Sequence, residues 1–119
     1  MATPIKTVRG GVIVPQWSNA DRDEKDKIKV HFRFLSFAEQ QALTFYDDLG
    51  KTLAYDSRQM EAMIDKVENL SIEDETGEVK DLVSGADIIN EPAAEGLCLE
   101  LWLEFRKRSA IDKKKLKSE

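Results

Sequence analysis

An α+β fold in one small domain follows from three features of this chain. Apolar residues at Ile28, Val30, Phe32 and Phe34 alternate with polar ones, the period of a strand with one buried face. Apolar positions then recur at helical spacing both before and after residue 50. Last, the run Leu97-Cys98-Leu99-Glu100-Leu101-Trp102-Leu103-Glu104-Phe105 holds seven apolar side chains. On a helix they sweep roughly 240° of the circumference and leave only Glu100 and Glu104 to water. A length of 119 residues fits one core and leaves no room for a second. The expected order is an N-terminal strand pair, two amphipathic helices, a β-hairpin and a long apolar C-terminal helix, all within residues 1–111.

Taken in order, residues 5–14 are largely β-branched, with Gly10-Gly11 inside and Pro15 closing them, which predicts a bulged or bent strand near a sheet edge. Residues 16–27 are polar and heavily charged and predict a solvated, mobile loop. Ser36-Phe37-Ala38-Glu39 has the form of a capping box. Beyond it Phe37, Ala38, Ala42, Leu43, Phe45, Tyr46 and Leu49 share one face of a helix that Gly50 would end. A second helix begins near Asp56 or Ser57, with Met60, Met63, Ile64 and Val67 as its apolar stripe. Leu70 and Ile72, the acidic stretch Glu73-Asp74-Glu75-Thr76-Gly77-Glu78 and residues 79–83 predict a hairpin turned at Gly77. Pro92 suits the first turn of the long helix, which runs to about Arg108 and sets Glu104 one turn before that arginine. Residues 112–119 form a basic tail expected to be flexible.

Composition narrows the function classes. At 41% hydrophobic and 34% charged residues the chain matches a folded soluble domain, not a disordered or membrane-spanning one. A net charge of −5 argues against nucleic acid as a partner, because neutralising phosphates needs a basic surface. No stretch has transmembrane length or the apolar core of a signal peptide, so no membrane partner is expected and the cytoplasm is the expected location. Cys98 is the single cysteine, which rules out a disulfide within the chain. Its place among leucines suits a small buried hydrophobe and disfavours a thiolate.

Nothing in the sequence has the spacing of a catalytic or metal site. His31 lies on the polar face of its strand with no cysteine or second histidine beside it, so a solvated strand position is expected. The acidic stretch 73–78 lacks the alternating ligands and terminal glutamate of a calcium loop, and Gly10-Gly11 belongs to no phosphate-binding pattern. Glu100 and Glu104 are read as the wet edge of the long helix rather than an acid–base pair. No catalytic residue, cofactor or metal is assigned, and the chain is expected not to be an enzyme.

The excess apolar surface of the long helix has to be covered on more than one side, by the domain or by another chain. Leu97, Leu99, Trp102, Leu103 and Phe105 are the candidate interface residues, with Trp102 as anchor. Met60 and Met63 add an adaptable helical face.

The second half also carries a resemblance. Leu70-Ser71-Ile72-Glu73-Asp74, the turn Glu75-Thr76-Gly77-Glu78-Val79, then Leu82-Val83-Ser84-Gly85-Ala86-Asp87-Ile88, and finally the helix from Gly96 to Phe105 with a break at Ser109, resemble the tail assembly chaperones of long-tailed bacteriophages. The likeness covers about residues 67–109 and is a diffuse pattern of hydrophobic and turn positions. It implies a homo-oligomer in the host bacterial cytoplasm that binds the tape measure protein, keeps it soluble and helps tail tube protein polymerise around it. It also implies a longer frameshifted form, and Lys113-Lys114-Lys115 suits a slippery adenine run. The same build fits two other classes, a structural virion component of the tail terminator or head–tail connector type and a small regulatory adaptor.

Overall fold

A three-stranded antiparallel sheet with helices packed on one face organises the chain, as seen in a computed structural model that describes residues 3–43, 45–46, 52–53, 55–108 and 110. In chain order the elements are β1 (Gly10–Ile13), β2 (Lys29–Arg33), α1 (Phe37–Ala42), β3 (Phe45–Tyr46), β4 (Thr52–Leu53) and α2 (Tyr55–Met63). They continue with β5 (Ile64–Glu68), β6 (Ser71–Glu73), β7 (Val79–Asp81), α3 (Gly85–Ile89) and α4 (Glu95–Lys107). The protein is thus a small α+β domain, the fold class its sequence predicts. No helix among the described residues is long and apolar enough to cross a membrane.

The sheet order is β1-β2-β5, with β1 at an edge as its glycines and proline suggest. Strand β1 keeps an unbroken register with β2, from Gly10 opposite Arg33 to Ile13 opposite Val30. The expected bulge lies elsewhere. Between β2 and β5 the register slips at His31/Phe32, so that Lys66 faces His31 while Ile64 faces Phe32. The extra residue, Asp65, turns two positions three apart, Ile64 and Val67, onto the same buried face. A Cβ on Gly10 would collide with the Phe32 carbonyl oxygen, so the close approach of β1 to β2 requires glycine there.

That bulge corrects the reading of Met60, Met63, Ile64 and Val67 as one helical stripe. The first two end α2, and the last two belong to β5, which follows the helix without a loop. All four are buried, so the core assignment of the stripe stands while its secondary structure changes midway. The first helix is corrected as well. Its capping box is present, with the Glu39 amide donating to Ser36 Oγ at 3.1 Å and the Ser36 amide donating to Glu39 Oε1 at 3.0 Å. The helix nevertheless ends at Ala42, buries none of its residues and leaves Phe37 77% exposed. Phe45 and Tyr46, aromatic strand formers, pair instead with Leu53 and Thr52. The calls on Leu49, Gly50 and the tail 112–119 lie outside the described residues.

The hairpin forms as predicted. Strands β6 and β7 pair Ser71 with Asp81 and Glu73 with Val79, and Gly77 takes φ +87°, which glycine adopts without strain. The Asp74 carboxylate closes the turn by accepting from the Thr76 amide at 2.8 Å and the Glu78 amide at 3.0 Å. A short helix not anticipated from the pattern, α3, begins at a second capping box, Ser84 with Asp87. The segment 16–27 is charged and largely exposed as expected, and side chains tie it to the domain. Buried Asn19 donates to the carbonyls of Pro15 and Ile28 and accepts from the Ile28 amide, and Arg22 donates to the Asn69 carbonyl at 2.8 Å.

The core gathers Val30, Phe32, Ile64 and Val67 from the sheet with Met60, Met63, Ile88, Leu97, Leu101 and Phe105 from the helices. Two leucines of α4 two positions apart, on opposite faces of the helix, make a direct test of this packing. Leu101→Ala should lower unfolding free energy by about 2–5 kcal/mol, whereas Leu103→Ala should change it by less than about 1 kcal/mol, both measured by urea denaturation.

Candidate functional site

The site is the outward face of α4, and the turns before that helix set its orientation. Glu91 caps the 3-10 turn Pro92–Ala94 by accepting from the Ala93 amide at 2.9 Å, and this turn leads directly into α4. At about 100° per residue, Leu97, Leu101 and Phe105 lie within an arc of about 80°. All three are buried, and the Phe105 ring sits against Phe32 with centroids 5.3 Å apart. Leu99 and Leu103, about 200° and 240° round from Leu97, therefore point away from the core. They are 58% and 57% exposed, one turn apart on the same face. Trp102 lies between the two faces, half-buried against the core, and so does Cys98.

The seven candidate interface residues therefore separate by burial. Leu97, Phe105, Met60 and Met63 are buried in the core of the single chain, because α4 and the last turn of α2 both close over the sheet. Leu99, Leu103 and the outer part of Trp102 remain available. Among the described residues of the single chain one face of α4 is packed and the Leu99–Leu103 face is open.

Two polar groups behave differently from their sequence reading. Glu100 is more than a wet edge: its carboxylate accepts from the Gln16 amide at 2.7 Å and the Trp17 amide at 3.0 Å, holding the segment after β1 against α4. Only its spacing from the buried seam hinted at a partner. Glu104 does pair with Arg108, at 3.0 Å, as the spacing predicts. His31 is half-buried rather than fully solvated, its Nε2 lying 2.5 Å from Glu68 Oε2 across β2 and β5. That hydrogen bond, reinforced by Lys66 and Lys29, holds the Glu68 carboxyl below its ordinary pKa.

Cys98 donates its Sγ–H to the Ile88 carbonyl at 3.4 Å, and burial followed by the nearby Glu95 charge raises its thiol pKa. Among the described residues no three His, Cys, Asp or Glu side chains gather in an arrangement that would hold a metal ion. The geometry defines a small α+β protein with an open apolar helix face. No family model, curated protein or solved structure matches the chain.

Two measurements follow from these ionisable groups. The thiolate is the reacting species, so Cys98 in the folded protein should alkylate with iodoacetamide at neutral pH at least about tenfold more slowly than in urea. For Glu68 the folded-state pKa lies below the ordinary 4.5, so its stabilising contribution is complete above that value and is lost as pH falls through the lowered pKa. Urea midpoints of the Glu68→Gln variant should therefore fall less steeply than wild type below pH 4.5.

Proposed function

We propose that this chain is a tail assembly chaperone of a long-tailed bacteriophage, which holds the tape measure protein in soluble form in the host bacterial cytoplasm. The observation that carries the reading is the exposed Leu99–Leu103 pair on α4, flanked by half-buried Trp102. A helix face of this kind suits a client that is itself a long helix with apolar stripes, since i, i+4 anchors on one helix can lie along the stripe of another. The net charge of −5 keeps such a holdase soluble while its apolar face is open. The likeness of residues 67–109 to those chaperones supports the same reading. In this account the protein works as a homo-oligomer with the tape measure protein and the tail tube protein as partners, uses no cofactor and performs no catalysis.

The test is affinity capture of the tagged chain from cells expressing its own gene neighbourhood, with bound proteins identified by mass spectrometry. A very long, helix-rich partner that is insoluble without this chain is the expected result. The double variant Leu99→Gln/Leu103→Gln should keep its circular dichroism spectrum and recover at least about tenfold less of that partner. Capture of mature virion components alone would overturn the chaperone reading in favour of a structural role.

A further inference from the structure

Away from the Leu99–Leu103 face, two other surfaces of the chain are unlike the rest and complement one another. The first is a groove beside α4. A depression of about 200 Å³ has a floor of Phe34, Leu35, Met63 and Trp102, with Arg106 and Arg108 at its rim. A neighbouring depression shares Phe34 and Leu35 and adds Arg9 and Arg33. Four arginines thus border two adjoining depressions, which share Phe34 and Leu35 and together form the groove, in a chain whose net charge is −5. Arg33 is neutralised by Glu39 at 2.9 Å and Arg108 by Glu104 at 3.0 Å. Arg9 and Arg106 form no ion pair among the described residues, and both are exposed.

The second surface is the ribbon β6–β7. It is anchored at its base by buried Leu70 and Leu82 and by Ile72, yet every residue of 73–81 is exposed. Glu73, Glu75 and Glu78 form no ion pair among the described residues, and Val79, opposite Glu73, is 62% exposed. A two-stranded ribbon standing alone is only marginally stable in water, so one whose outer face joins an apolar residue to free carboxylates gains from a partner. Its chemistry, an apolar residue among carboxylates, is the inverse of the groove, an apolar floor among arginines.

We propose that the acidic ribbon β6–β7 of one copy seats in the arginine-rimmed groove of a second copy, Val79 over the apolar floor and Glu73 and Glu75 towards Arg9 and Arg106. The ribbon does not lie in the groove of its own chain, because residues 73–81 are exposed. Ribbon and groove are different surfaces, so the contact is head-to-tail, and each copy can both give and receive. A contact of this kind closes a ring or extends a row according to the rotation between copies. It leaves Leu99 and Leu103 outside the contact and stands whether or not the chaperone reading holds.

The experiment is sedimentation of the full chain over a concentration series, with two double variants, Arg9→Glu/Arg106→Glu in the groove and Glu73→Arg/Glu75→Arg in the ribbon. Wild type should associate, and added salt should weaken it because the paired charges are exposed. Each variant alone should need about tenfold more protein or greater to associate. Mixing the two should restore association, since the intact ribbon of one meets the intact groove of the other. All substitutions fall on exposed side chains, and melting curves check that each variant folds; Arg→Gln and Glu→Gln versions replace any that does not. Wild type that stays monomeric throughout the series overturns the proposal, as does a mixture no better than its components. Variants that associate as wild type does overturn it too and assign self-contact to another surface, such as the Leu99–Leu103 face.

Discussion

The contact between the buried seam of α4 and the sheet face of β2 governs the rest of the molecule. Phe105 lies against Phe32, Phe34 meets Phe32 edge-on at 5.4 Å between centroids, and the Arg108 guanidinium sits 5.4 Å above the Phe32 ring. Leu97 and Leu101 continue the seam towards the helix N-terminus, fully buried. A sheet of three strands has one apolar face to cover, and α4 is the longest helix that covers it. Once Leu97, Leu101 and Phe105 are committed to that face, helix geometry places Leu99 and Leu103 on the far side. The open stripe is therefore a consequence of the core packing, and a rotation that buried it would expose the seam.

Polar groups fix the parts that the seam does not reach. Glu100 leaves the seam at an angle that lets its carboxylate take two backbone amides of the segment after β1, so the helix that covers the sheet also holds the connection between its first two strands. Asn19 satisfies three further backbone groups inside the same connection, and no buried side-chain nitrogen or oxygen among the described residues lacks a partner. Asn69, at φ +64°, closes the turn between β5 and β6 and donates to the carbonyls of Lys25 and Lys27. The charged segment is thus fastened at both ends by side chains that composition alone would assign to solvent.

Legibility in the sequence followed the length and purity of each local signal. The period-2 run into β2, the capping box of α1, the glycine turn of the hairpin and the extent of α4 were all readable, because each rests on residues adjacent in sequence. The second box, Ser84 with Asp87, carried the same signal and marks α3, although only five residues follow it. What escaped depended on partners far along the chain. The bulge opposite His31/Phe32 gives Ile64 and Val67 helical spacing inside a strand, and nothing local distinguishes that from a continuing helix. Phe45 and Tyr46 fit a helical face numerically, yet pair as a strand. For the candidate site, periodicity measured the surplus of apolar surface on α4 but not its phase. It could not tell Leu97 and Phe105 from Leu99 and Leu103, since the phase is set by the sheet.

Burial and charge together divide the surface into regions with different physical tasks. The Leu99–Leu103 stripe is apolar, so its attraction to any partner scales with area removed from water and changes little with salt. The arginine-bordered groove and the acidic ribbon act through exposed charges, whose attraction is screened within a Debye length of about 8 Å at physiological ionic strength. Contacts of the two kinds can therefore be varied separately, by salt for one and by apolar truncation for the other. The carboxylates stand on a ribbon whose residues 73–81 are all exposed and the leucines on the outer face of α4, while Trp102 borders both that face and the groove, so the two regions adjoin at one side chain.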